Sequence, residues 1–200
     1  MKRVFDILAS GTGLLFLSPV MVLCAILVKL TSQGPVFFSQ QRMGLAGKPF
    51  NILKFRSMVV NAEAQGARVT AGGDKRITFI GKILRKTKLD ELPQLINVLK
   101  GEMSLVGPRP EVKEFVDCYP EDYDTLLSVR PGITDIGSIE FRNEEEILAA
   151  SEDPKKTYIE EVLPQKIALG KQYIDNSSVL FDIKLIFKTI FVIAFGKTPK

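Results

Sequence analysis

Histidine is absent from this 200-residue chain, and so is tryptophan. Without histidine there can be no Ser-His-Asp or Cys-His catalytic unit and no histidine-ligated zinc site. Any chemistry must run on carboxylates, lysines, arginines, hydroxyls or a metal held by oxygen. Cysteine is scarce: Cys24 and Cys118 lie far apart and form no CxxC. The spacing argues against a disulfide framework, and a reducing cytoplasm fits. No GxGxxG follows a candidate strand and no GxxxxGK[ST] occurs, so the two commonest nucleotide-binding loops are missing as well.

The chain does have 46% hydrophobic and 25% charged residues, with a formal net charge of +4. That is enough for one domain with a sizeable core, and too much charge for a polytopic transporter. A mild basic surplus suits nucleic acid, an anionic lipid surface or a phosphorylated substrate. The basic residues are interleaved with membrane features and form no nucleic-acid motif, so no nucleic-acid partner is expected.

Residues 7–28 carry no charge, roughly 22 residues and about 33 Å as a helix, enough to cross a bilayer. Lys2 and Arg3 precede this run; Lys29, Arg42, Lys48, Lys54 and Arg56 follow it. The positive-inside tendency wants both flanks on the cytoplasmic side, which one straight crossing cannot provide. Ser18 and Pro19 fall near the middle of the run. Proline removes a backbone donor and kinks a helix, and a serine hydroxyl can satisfy a group freed in lipid. The sequence therefore predicts a re-entrant helix-break-helix over residues 1–30 that enters and leaves one leaflet. A cytoplasmic-face domain follows over residues 31–200, the two forming a single structural unit. A cleaved signal peptide and a kinked spanning helix are the alternatives; no small-x-small cleavage site precedes a polar start.

Residues 36–41 and 50–55 read as the strands of a hairpin around Gly44 and Gly47. Residues 57–67 look helical, and residues 68–75, with Gly72-Gly73, look like a mobile loop. Ile77, Ile80, Ile83 and Leu84 have helical spacing, with Arg76, Lys82, Arg85, Lys86 and Lys88 on the other side. A further helix should start close to Asp90, tolerate Pro93 in its first turn and stop at Gly101. Residues 106–110, Val-Gly-Pro-Arg-Pro, must form a rigid loop. Helices are expected over 111–119, 121–129, 144–150 and 156–175. The apolar tail, residues 181–195, carries Lys184 and Lys188 on one face, which suits either a membrane-interface helix or a C-terminal core helix.

The chemistry concentrates at Asp90 and Glu91. As a bare pattern they could be an N-cap and a first-turn acid. Three features favour chemistry: a dense basic stretch from Lys82 to Lys88 precedes them, adjacent helical residues diverge by about 100°, so one acid can attack while the other helps hold a metal, and a helix N-terminus favours phosphate.

Four strings carry a resemblance: Lys54-Phe55-Arg56-Ser57-Met58, Leu89-Asp90-Glu91-Leu92-Pro93-Gln94, residues 97–110 (NVLKGEMSLVGPRP), and Arg130-Pro131-Gly132-Ile133-Thr134. With the central Ser-Pro of the N-terminal run, Tyr173 and Phe181-Asp182-Ile183-Lys184, they resemble the bacterial sugar transferases, more narrowly the small monotopic phosphoglycosyl transferases of the PglC type. The resemblance implies a mainly α fold with a small β-hairpin, a re-entrant N-terminal segment and interfacial amphipathic helices. It implies transfer of a sugar 1-phosphate from a UDP-sugar to polyprenyl phosphate with release of UMP, initiating glycoconjugate or polysaccharide assembly. Asp90 would be the nucleophile that carries the phosphosugar, and Asp90 with Glu91 would hold Mg²⁺. Arg109, fixed between two prolines, would bind phosphate, with Lys54 and Arg85 as further candidates, either of which could be an ordinary ion-pair partner. Membrane phospholipid is a further partner, and the expected location is the bacterial inner membrane. The donor sugar and homodimerisation stay open. A non-catalytic membrane scaffold is the alternative function. Many members continue after Pro-Gly-Ile-Thr with Gly, an aromatic and a Gln-Val-Asn-Gly-Arg-like string; here Asp135 to Asn143 differ, where sugar or nucleotide discrimination could lie.

Overall fold

The computed structural model describes residues 1–62 and 72–196. It is mostly helical, with one small β-hairpin and one long apolar N-terminal helix. That helix, α1 (Lys2–Thr31), is long and apolar enough to cross a membrane by length and composition. Where a break was expected, the helix runs on through Ser18-Pro19. The local chemistry explains how: Pro19 cannot donate to the carbonyl four residues back, and the Ser18 hydroxyl donates to that same Leu15 carbonyl at 2.8 Å.

The buried residues of α1 are Asp6, Ser10, Cys24 and Val28, spaced so that they share one side of the helix. Both ends are fastened to the body. Near the start, Arg3 donates to the Val98 and Leu99 carbonyls at 2.7 and 3.0 Å. The Asp6 carboxylate accepts from the Ser104 hydroxyl at 2.9 Å and from the Leu105 amide at 3.1 Å. Near the finish, Cys24 and Val28 pack with Phe55 and Leu84, and Arg56 Nη2 donates to the Ser32 carbonyl at 2.8 Å. Leu8, Leu15, Phe16, Leu23 and Leu30 stay exposed.

The hairpin pairs β1 (Phe37–Met43) with β2 (Pro49–Phe55) antiparallel, Phe37 opposite Phe55. The helix expected over 57–67 does not form in its described part: Met58 bridges to Ile77, and Asn61 has φ 60°. Residues 63–67, like residues 68–71 of the expected loop, lie outside the described residues. Helix α2 (Phe79–Thr87) is capped by Thr78, whose hydroxyl accepts from the Gly81 amide at 3.0 Å. The helix expected to begin at Asp90 divides in two: a 3₁₀ turn, Leu89–Glu91, then α3 (Gln94–Lys100). Pro93 has no N–H to return to Leu89, so the turn before it closes by tighter bonds, Glu91 N to Lys88 O and Leu92 N to Leu89 O.

A parallel pair that the sequence did not announce joins β3 (Ser104–Val106) to β4 (Gly132–Thr134). Strands of three residues are too short for alternation to register. Glycine is required where they meet: a Cβ on Gly132 would lie 2.1 Å from the Gly107 amide nitrogen, and one on Gly107 2.5 Å from the Arg130 carbonyl.

The remaining helices are α4 (Lys113–Val116), α5 (Pro120–Leu126), α6 (Ile136–Glu140), α7 (Glu144–Ala149), α8 (Pro154–Thr157) and α9 (Leu163–Asp175). A π-helical turn, Tyr158–Val162, interrupts the single helix expected over 156–175. Val112, Phe115, Leu126, Leu148, Tyr158, Leu163 and Ile167 form the main core beneath them. Helix α10 (Val179–Phe195) has one side in the core, burying Asp182, Leu185 and Val192, while Leu180 and Phe187 are 79% and 68% exposed.

Asp182 ties these parts together. Its fully buried carboxylate accepts from Lys2 Nζ at 2.5 Å and from the Tyr173 hydroxyl at 2.7 Å, and both donors also reach the Val106 carbonyl. Removing one partner from such a cluster strands the others. Asp182→Ala should cost about 2–4 kcal/mol, read as a lower urea midpoint for detergent-solubilised protein; an unchanged midpoint would show the cluster to be energetically idle.

Candidate active site

Asp90 and Glu91 sit in the 3₁₀ turn between α2 and α3, both buried. Lys54 reaches them from the end of β2. Its placement rests on Asn97, fully buried on α3: the Asn97 side chain accepts from Leu53 N at 3.0 Å and donates to the Asn51 carbonyl at 2.8 Å. The carboxamide thus mimics a neighbouring strand and pins β2 beside the turn. Arg109 reaches them from the loop after β3. That loop is held by bonds from Gly107 N to Thr134 O and from Gly132 N to Pro108 O, at 3.1 and 3.0 Å.

The two cations converge on one oxygen. Lys54 Nζ lies 2.9 Å and Arg109 Nη2 2.7 Å from Glu91 Oε1. No hydrogen bond reaches Glu91 Oε2 among the described residues, and Asp90 Oδ1 is buried with no partner. Burial alone would raise the Glu91 carboxyl, but Arg109, Lys54 and Lys88 together outweigh it and hold the group well below the usual carboxylate range. Asp90 moves the other way: burial raises it first, then the like charge of Glu91, against the partial relief of nearby cations. Glu91 in turn keeps Arg109 firmly charged. Adjacent carboxylates therefore have divergent characters, one locked as an anion and one carrying an unsatisfied oxygen.

This turn opens onto a cavity of about 620 Å³, whose wall also includes Arg42, Arg85, Lys88, Glu111, Tyr158 and Lys166. Arg85 stands in the wall, with its guanidinium ion-paired to Glu145. Ser18 and Pro19 take no part; both are exposed on α1. Sequence reasoning missed the far wall. There the Tyr158 hydroxyl donates to Glu111 Oε1 at 2.5 Å, and Arg42 donates to Glu111 Oε2 and to the Pro110 carbonyl, both at 3.1 Å. That cluster fastens the chain just past Arg109. The segment that departs from the family pattern contributes Ser138, Phe141 and Arg142 to the same wall. Asp135 caps α6 there, its carboxylate accepting from the Ser138 amide at 2.6 Å.

The residues fit a magnesium ion. Mg²⁺ takes oxygen ligands only, commonly one or two carboxylates completed by substrate phosphate and water. The orphaned Asp90 oxygen and the open side of Glu91 meet that demand. No group of three metal-ligating side chains exists among the described residues, so such an ion would be shared with its substrate.

A cavity that sets paired carboxylates among cations suits phosphorylated ligands, and the long apolar α1, packed on α2, α3 and β3, is consistent with membrane association. The chain belongs to the bacterial sugar transferase family, whose profile matches residues 1–196. It is 41% identical over 198 residues to the UDP-N-acetylgalactosamine-undecaprenyl-phosphate N-acetylgalactosaminephosphotransferase of Aeromonas hydrophila, covering 98% of this chain and 44% of that protein. It is 40% identical over 195 residues to the UDP-glucose:undecaprenyl-phosphate glucose-1-phosphate transferase of Escherichia coli K12, covering 96% and 39%. An exopolysaccharide production protein of Rhizobium leguminosarum bv. phaseoli is 38% identical over 198 residues, covering 95% and 93%. The chain thus spans less than half the length of the first two relatives and nearly all of the third.

Proposed function

We propose that this protein transfers a sugar 1-phosphate from a UDP-sugar to a polyprenyl phosphate, with Asp90 as the covalent nucleophile. The observation that carries this is the pairing of a buried, donor-less Asp90 oxygen with a neighbour, Glu91, whose charge is locked by Lys54 and Arg109. An Asp90 oxygen attacks the sugar-linked phosphorus, and the bond from that phosphorus to the bridging oxygen breaks. UMP departs with the electron pair, leaving an acyl phosphate. An oxygen of the lipid phosphate then attacks the same phosphorus and returns the carboxylate, giving a lipid-diphosphate sugar. Both nucleophiles are ionised oxygens, so no general base is required and the lack of histidine is no obstacle. Arg109 and Lys54 orient the phosphates by their charge and donor geometry. Bound Mg²⁺, held by Asp90 and Glu91, would supply neutralisation of the diphosphate.

The seat of α1 supports a monotopic arrangement. A spanning helix places its ends about 30 Å apart on opposite sides of the hydrocarbon, so a domain on one face can hold only one of them. Here both ends are bonded to the same body. The exposed apolar sides of α1 and α10 would enter one leaflet, with the cavity at the cytoplasmic face, where the exposed Lys29 would meet anionic headgroups.

The test is to incubate enzyme with labelled UDP-sugar and no acceptor, then digest it and find the label by mass spectrometry. Sugar phosphate is expected on the peptide containing Asp90. Its absence, under conditions where complete reactions form product, would falsify covalent catalysis.

A further inference from the structure

The cavity wall is rich in cations that the protein has already engaged. Lys54 and Arg109 are paired with Glu91, Arg42 with Glu111, Arg85 with Glu145 and Lys166 with Glu144. Arg76 is paired with Asp74, while Arg56 and Arg142 donate to Ser32 and to the Val192 carbonyl. Lys88 differs. It lines the same cavity, it is exposed, and among the described residues its ammonium makes neither a hydrogen bond nor an ion pair.

Its backbone is unusual too. Lys88 has φ 57° and ψ 15°, a left-handed conformation that disfavours any residue with a Cβ and that glycine adopts freely. The residue ends α2, and its carbonyl accepts from the Glu91 amide at 3.2 Å, so it belongs to the turn that presents both carboxylates. A strained lysine stands here, two residues before Asp90, with an ammonium that is bonded to no group among the described residues. Strain of this kind, held at a functional turn, points to a role for the side chain that a less strained residue could not fill.

We propose that Lys88 is a phosphate-binding residue, its ammonium engaging a phosphate oxyanion of the ligand that enters this cavity. The inference rests on the transfer reaction proposed above, and the donor diphosphate is the ligand the position favours, because Lys88 adjoins the nucleophile's own turn. Lysine serves here as a mobile point charge that can follow the phosphate as charge moves to the leaving group.

The test uses Lys88→Gly, Lys88→Asn and Lys88→Arg in the full chain. Affinity is measured by calorimetry for UDP with Mg²⁺ and, separately, for farnesyl phosphate in detergent; neither measurement needs turnover. Lys88→Gly should melt higher than the parent, because the strain is relieved, while binding UDP roughly tenfold more weakly, the usual loss for one charge-assisted bond. Lys88→Asn, which also tolerates this conformation, should lose UDP affinity similarly, and Lys88→Arg should keep most of it. A loss confined to farnesyl phosphate would assign the same phosphate contact to the acceptor. Unchanged affinity for both ligands in the glycine and asparagine variants overturns the proposal and leaves Lys88 as a helix terminus only. Should the parent bind UDP through Lys88 yet never release UMP from any UDP-sugar, the transfer reaction fails and the phosphate contact stands.

Discussion

Asp90→Asn is expected to lower UMP release from a UDP-sugar by about a thousandfold or more, the scale seen when a covalent nucleophile is removed. The amide keeps the shape of the carboxylate but brings a neutral oxygen to phosphorus and an N–H₂ where an acceptor stood. Stability should move the other way. In the parent the Asp90 carboxyl is raised by burial and by the like charge of Glu91, and Oδ1 has no donor. A neutral group removes both penalties, so the variant should melt at the same temperature as the parent or above it. Loss of activity together with gain of stability is what a residue retained for chemistry gives, whereas a structural acid would lose both. Single-turnover UMP release and thermal melts on the same preparation decide it. If Asn at this position keeps most of the turnover, the nucleophile is elsewhere.

The parts of this site that were legible in the sequence are those built from contiguous residues. Asp90 and Glu91 announced themselves by adjacency and by the basic stretch before them, and Arg109 by its flanking prolines. The hairpin was readable from two short runs around Gly44 and Gly47, within two residues at its ends: Phe37–Met43 and Pro49–Phe55 against 36–41 and 50–55. What the sequence could not give was anything decided by long-range pairing. Asn97 reads as an ordinary helical position, yet it positions Lys54 by hydrogen bonds to Asn51 and Leu53, more than forty residues earlier. Glu111 and Tyr158 lie 47 residues apart, and neither has a local signature. The β3–β4 pair is too short for alternation to show. The π-helical turn that starts at Tyr158 looks, by periodicity, like plain helix.

The N-terminal run shows the same boundary between composition and geometry. Its length and lack of charge were plain, and Ser18-Pro19 suggested an interruption. Local chemistry instead repairs the helix, through the Ser18 hydroxyl on Leu15. The feature that argues for a monotopic seat is the attachment of both ends to one body, through Arg3 on α3 and Arg56 on Ser32. Neither contact is visible until α3 and β2 are folded.

Glu91→Gln is expected to lower kcat by about a hundredfold or more, for a different reason from Asp90→Asn. Gln can still accept at its oxygen from Lys54 and Arg109, now 2.9 and 2.7 Å from Glu91 Oε1, so the scaffold of the site should survive. What disappears is the charge. Two cations lose their counter-ion, and the carboxylate available to share a metal with Asp90 becomes a weaker neutral ligand, so the Mg²⁺ concentration for half-maximal rate should rise by about tenfold or more. The pH profile separates this account from simple misfolding. Glu91 is the second cause, after burial, of the upward shift at Asp90. A nucleophile must be ionised, so activity falls as pH drops through the Asp90 pKa. Removing the negative neighbour lowers that pKa, and the acid limb of single-turnover rate should therefore move to lower pH even as the plateau drops. An acid limb that stays in place or moves upward, or an unaltered Mg²⁺ requirement, would mean that Glu91 neither repels Asp90 nor shares its metal.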